Sequence, residues 1–310
     1  MGKLKLNKET AEGMLFFTAV LWGLSSCLLK AALETGVTAG FINFARGAVF
    51  VALAALFFHR DLAKIDRRQL KVGLIAGLLN FAGYLVQTVG MKETSPANSA
   101  FISSTYVVFV PIFAMIFYRV AIKKKIFCCA VLSMAGAAIL SGMVSNGLSA
   151  LNRGDFFALI SALFYAGSVV YLGHGTKDTP PTVVAFLLAA VQAVGGLAYF
   201  LAAEGGHMPN VDWLRALPML LVMGVLCSFA AQTMQVMAQQ HTSPTAAGMI
   251  MMLEGLFSAV ISVMVGYDAF GWELAVGGAV ITASLAVMEV DFSKFLQRAR
   301  KRETGESAAD

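Results

Sequence analysis

Residues 94–111 read TSPANSAFISSTYVVFVP, and residues 242–259 read TSPTAAGMIMMLEGLFSA. The two stretches lie 148 positions apart, and each sets a polar Thr-Ser-Pro start ahead of a long apolar run. Proline is tolerated in the first helical turn, where its missing N–H would have no partner. Both stretches therefore predict helices that begin at the triplet. In the second, Glu254 falls about 11 residues in, roughly 16 Å down a helix at 1.5 Å per residue. In a hydrocarbon core ~30 Å thick, that places a carboxylate near the middle.

The composition demands such a core. Of 310 residues, 58% are hydrophobic and 13% charged, against about 45–50% and about 25% in soluble domains. Lipid offers backbone groups no partners, so only helices or closed barrels span it. The apolar runs are about 20 residues long, twice a barrel strand. Helices are the solution. Cys27, Cys128, Cys129 and Cys227 all fall within apolar runs, which reads as buried thiols and not as a disulfide framework or metal site. The first run follows Lys3, Lys5 and Lys8 without a small-residue cleavage site, so it is read as a retained helix.

Ten spans are predicted, at 13–33, 38–58, 70–91, 97–118, 124–142, 154–173, 182–203, 214–238, 244–265 and 271–289. With the N-terminus inside, the cytoplasmic loops, tails and helix ends hold 18 Lys and Arg, and the opposite side holds 3. That bias predicts both termini cytoplasmic. The net charge of +5 is then a topology signal and not a nucleic-acid footprint. The chain divides into an N-terminus (1–12), a first five-helix repeat (13–142), a linker (143–153), a second repeat (154–290) and a tail (291–310).

The offset of 148 also aligns Asn80 with Ser228, Phe81 with Phe229 and Gln87 with Gln235. Offsets of 143 and 145 align Trp22 with Tyr165 and Phe41 with Phe186. Five spans per half is an odd number, so the second half must enter the membrane with reversed polarity. The fold class expected is an all-α integral membrane protein of ten transmembrane helices in two inverted repeats. Inverted repeats are a transporter architecture, with the substrate site near the midplane between them.

AVLWGLSSCLLKAAL, FINFARGAVFVALAAL, the two hairpin stretches and AVGGAVITASLAVME, in this order, resemble the ten-helix EamA-type branch of the drug/metabolite transporter superfamily. The resemblance covers about residues 13–290. It implies a secondary carrier of small organic solutes such as amino acids, frequently exporting, in the plasma (inner) membrane of a bacterium. The chain departs from the family habit where Gly255, not proline, follows Glu254. Tyr118-Arg119 and Tyr267-Asp268 also replace its usual Gly-Glu pairs.

An ionisable residue in a membrane helix is costly enough to mark a cavity or a partner. Glu254 is therefore a candidate for substrate binding and proton coupling, against the alternative of a pin between helices. Arg46 could hold a substrate carboxylate or neutralise Glu254; Lys30 is expected to snorkel to the interface. Trp22, Tyr84, Tyr106 and Tyr165 could stack on a planar or quaternary group. Asn80, Gln87, Gln232 and Gln235 could bond its polar ends, as could Asn43, Ser104, Tyr171 and Gln192. Single polar groups in a membrane often only join helices. Asn80, Tyr84 and Gln87 share one face of the third span, and Gln232 and Gln235 share one face of the eighth. A repeated polar stripe points to a cavity lining. Pro111 is expected to kink the fourth span.

No cofactor or metal is implied. The partners expected are a small-molecule substrate, the lipid bilayer and protons as coupling ion, with no nucleic acid. A quaternary or aromatic amine carrier is the alternative within transport. A membrane enzyme is the alternative outside it, and His59, His174, His207 and His241 lack the clustering it needs. No nucleotide-binding G-x-x-x-x-G-K-[ST] stretch is present, which argues against an ATP-driven pump.

Overall fold

A computed structural model of the chain describes residues 7–121, 124–140, 144, 152–208 and 210–289. The expected tail, half of the expected N-terminal segment and most of the linker lie outside the described residues. Ten helical rods are found among those described: α1 Lys8–Glu34, α2 Ala39–Leu62, α3 Arg67–Gly90, α4 Pro96–Tyr118, α5 Lys124–Leu140, α6 Arg153–His174, α7 Pro181–Ala203, α8 Trp213–Gln239, α9 Pro244–Met264 and α10 Trp272–Glu289. Eight of them, α1–α4 and α6–α9, are long and apolar enough to cross a membrane. Several helices outrun their predicted spans, because hydropathy marks the lipid-soluble stretch and not the last hydrogen bond. α3 starts at Arg67 because Asp66 and Gln69 form a capping box there.

The duplicated triplet behaves alike in both copies. Ser95 and Ser243 are N-caps whose hydroxyls accept from the amides of Asn98 and Ala246, each 3.2 Å away, with proline in the first turn. Each helix is then interrupted once, α4 at Thr105 and α9 at Met252. The Val108 amide turns back to the Thr105 carbonyl, and the Gly255 amide to that of Met252. Pro111 lies inside the second segment of α4. The interruption in α4 precedes Pro111 by six residues, and α9 breaks one position earlier in its repeat with no proline near. Both helices end in the left-handed region, at Gly266 and at Arg119, the one non-glycine residue of positive φ among those described.

Polarity is inside out relative to a soluble protein. Phe17, Leu56, Phe57, Phe117 and Leu214 are exposed, whereas Arg46, Asn80, Gln192, Gln232 and Gln239 are buried. Such an apolar surface fits lipid. The helices pair α2 with α7, α5 with α10, α1 with α8, α3 with α6, α1 with α9 and α4 with α6. Exchanging the two halves maps this set onto itself, so each repeat completes the other.

Small residues permit the central crossing. Side chains at Gly40, Gly47 and Gly196 would run into the backbones of Phe200, Ala193 and Phe44, so α2 and α7 touch main chain to main chain. Gly73 and Gly77 accept Leu187 and Val191 of α7 in the same way. Asn43 spans the crossing, donating to Thr88 at 3.1 Å and accepting from Gln192 at 3.3 Å. At the far edge, α5 and α10 meet at Gly136 against Ile281 and through a Ser133–Ser284 hydrogen bond.

Candidate functional site

Between the halves lies a narrow cavity. Its wall includes Trp22, Arg46, Asn80, Tyr84, Gln87, Tyr106, Tyr165, Gln235 and Glu254. Gln232 is not on the wall; it is buried behind it, beside Tyr84. The repeat explains the gathering: Trp22 and Tyr165 occupy matching places on α1 and α6, and Gln87 and Gln235 on α3 and α8. Tyr106 and Glu254 also match, each just past its helix interruption.

Arg46 is 1% exposed. Its Nε donates to the Ser228 hydroxyl at 3.0 Å, and its guanidinium lies 5.0 Å from the centre of the Tyr84 ring. Its second terminal nitrogen, Nη2, is buried without a hydrogen-bond partner. Glu254 is 7% exposed, and its carboxyl group makes no hydrogen bond or ion pair among the described residues. Lys8–Glu12, Arg68–Asp178 and Arg215–Asp212 form ion pairs at the surface. The suggested Arg46–Glu254 pair is thus corrected: both groups face the cavity and neither contacts the other within 4.0 Å.

The aromatic wall is tied down. The Tyr165 hydroxyl donates to Gln87 Oε1 at 2.7 Å, and Gln87 Nε2 donates to Ser103 at 3.1 Å. The Tyr165 ring meets Tyr84 and Tyr106 edge to face, at 5.6 and 6.3 Å. The Trp22 indole N–H donates to the Cys227 carbonyl at 3.1 Å. That carbonyl belongs to a π-helical segment of α8, Met223–Ala230. Wider winding there releases main-chain oxygens, and the same segment carries Ser228. Nothing in the apolar run MGVLCSFA announces it.

The sequence reading missed Ser25, Ser26 and Leu29 of α1 and Ser168 and Val169 of α6. Helical spacing was the available signal: residues 22, 25, 26 and 29 share a face, as do 165, 168 and 169. Ser168 Oγ is also buried without a partner. Other polar candidates serve elsewhere. Asn43 and Gln192 join α2 to α7, Ser104 bonds its own helix at the Ala100 carbonyl, and Tyr171 packs on Gly175. Lys30 reaches the loop between α3 and α4 at the end of α1. Its ammonium donates to the Met91 and Thr94 carbonyls at 3.0 Å each and pins α1 to the start of α4.

An apolar exterior, two exchangeable helical halves and a charged, enclosed cavity between them define an integral membrane transporter. Residues 10–142 and 152–290 each match the model of the EamA-like transporter family. The chain belongs to that family, and the expected resemblance holds. A protein of Archaeoglobus fulgidus named "Uncharacterized transporter" is 30% identical over 251 residues, 81% of this chain and 76% of its own. A solved crystal structure shares the fold at a TM-score of 0.65 and 19% identity, covering 91% of this chain and 96% of that one.

Proposed function

We propose that this protein is a secondary carrier of an amino acid or a related zwitterion, working by alternating access in the export direction. All ten helices span the plasma membrane, and both termini are cytoplasmic, following the loop charge. The observation that carries the substrate class is the unpaired state of Arg46 and Glu254 in one cavity. A guanidinium with a free donor suits a carboxylate, and an isolated carboxyl group suits an ammonium. The aromatic wall then receives the side chain. A purely cationic amine would enter beside the buried positive charge of Arg46, which disfavours the amine carrier reading. Glu254 is also the coupling group, exchanging a proton for the ammonium.

Alternating access is supported by unequal closure at the two ends. At the outer end Ser258 donates to the Pro96 carbonyl at 3.1 Å, and Asp268 accepts from the Ala97 amide at 3.2 Å. Phe101 packs on Gly255 there, and the Tyr267 hydroxyl donates to Glu34 at 2.8 Å. Burial and the Glu34 carboxylate push that hydroxyl up to about 12, so it stays a donor at physiological pH. At the inner end the second half of α4 meets the first half of α9 at Gly248. Tyr106 donates to its carbonyl at 3.4 Å. The outer end is the better sealed.

The reading is tested by thermal unfolding of the purified chain with amino acids, amines and nucleosides. An amino acid at a hundred times its Kd should stabilise by about 2.7 kcal/mol. Its carboxyl-amidated form should not stabilise. Stabilisation by amines or nucleosides alone would reject the zwitterion.

A further inference from the structure

We propose that Gln235 and Gln239, in line with Gln232, form a hydrated polar track that receives the hydrogen-bonding end of the solute between the cavity and the cytoplasmic end of α8. The solute rests on the carrier reading above; the track rests on its own observations. The three glutamines stand three and four residues apart, so they share one face of a helix. Gln232 and Gln239 are 0% exposed and Gln235 is 2% exposed. Gln235 lines the cavity, and Gln239 lies about one turn further along. Both amide atoms of Gln239 and the Oε1 of Gln235 are buried with no hydrogen-bond partner among the described residues.

A dry, packed site does not keep a primary amide in that condition, because the desolvation cost goes uncompensated. The neighbouring residue shows how a structural glutamine is held. Gln240 donates to the carbonyls of Thr176 and Thr179, at 3.2 and 3.0 Å. Gln239 has no such bond.

The other repeat supplies the contrast. The offset of 148 sets Met91 of the first half in the place of Gln239. Met91 is fully buried in an apolar cluster with Leu29, Ala32 and Val37 at the outer end. One end of the symmetric pathway is thus plugged with hydrocarbon and the other is lined with amides. The amide end is the basic one. Gln240 binds the α6–α7 loop, whose Asp178 pairs with Arg68 in the first turn of α3, at 3.1 Å.

Cysteine accessibility tests this in the full chain in lipid nanodiscs. Gln235→Cys, Gln239→Cys and Val236→Cys are exposed to a small water-soluble methanethiosulfonate and followed by peptide-resolved mass spectrometry. Val236 is buried against Ala76, Leu172 and Leu188 on the packed flank of the same turn. A thiol reacts as its thiolate, which needs water, so the two glutamine positions should label at least ~10-fold faster than position 236. Equal, slow labelling at all three overturns the track. Gln239→Glu is the second measurement: a hydrated track accepts the carboxylate with monodisperse protein, and a dry one rejects it. Labelling reads water access and needs no substrate. A chain that labels as expected yet transports no amino acid therefore refutes the carrier reading alone.

Discussion

Arg46→Gln is expected to cut transport of the zwitterionic substrate by about 10- to 150-fold, with folded protein recovered in normal yield. The guanidinium is held by Ser228 on one side and Tyr84 on another, which leaves Nη2 for the cavity. A charge-assisted hydrogen bond is worth about 1.5–3 kcal/mol, and each ~1.4 kcal/mol is tenfold in affinity. Arg46→Lys should recover little of the loss. An ammonium is a single point donor and cannot bond Ser228 and a solute carboxylate from a planar fork. Initial rates in proteoliposomes measure both variants. Full activity in Arg46→Gln would assign the arginine to helix joining and remove the zwitterion argument.

Gly47→Leu should be the most damaging substitution to the fold. The added side chain would land on the main chain of Gln192 and Ala193, so α2 and α7 must separate. Overpacking a tight contact costs about 1–3 kcal/mol where side chains can yield, and here backbone must move. The expected result is a loss of at least ~2 kcal/mol, visible as a lowered Tm or loss of monodisperse protein in detergent. Gly13→Leu is the control. An added Cβ there meets nothing within 4 Å outside its own stretch of helix among the described residues, and it should leave Tm unchanged. Equal Tm values in the two variants would mean the halves are not held by close contact of these helices.

Much of this was legible beforehand, for a physical reason. Lipid forces helices, and duplication forces a symmetric partner for every span, so the positions of α1–α10 followed from hydropathy and the 148-residue offset. The lining was legible through the same symmetry. Trp22 and Tyr165, Gln87 and Gln235, and Tyr106 and Glu254 each come from matching places in the two halves. Partners were not legible, because they depend on distances between helices. Arg46 could not be assigned to Ser228, nor Lys30 to the carbonyls of Met91 and Thr94, from one-dimensional spacing. The π-helical turn of α8 and the interruption at Met252 lacked any residue signature.

The central claim is that one site between two exchangeable halves is exposed to each side of the membrane in turn. Counterflow in proteoliposomes tests it most directly. Vesicles containing the purified chain are preloaded with an unlabelled mixture of the standard amino acids and diluted into labelled tracer. An alternating-access carrier accumulates tracer transiently above its equilibrium level, with a saturable initial rate that Glu254→Gln lowers or makes independent of pH. Non-saturating tracer entry without overshoot, or flux no greater than in protein-free vesicles, would contradict the account.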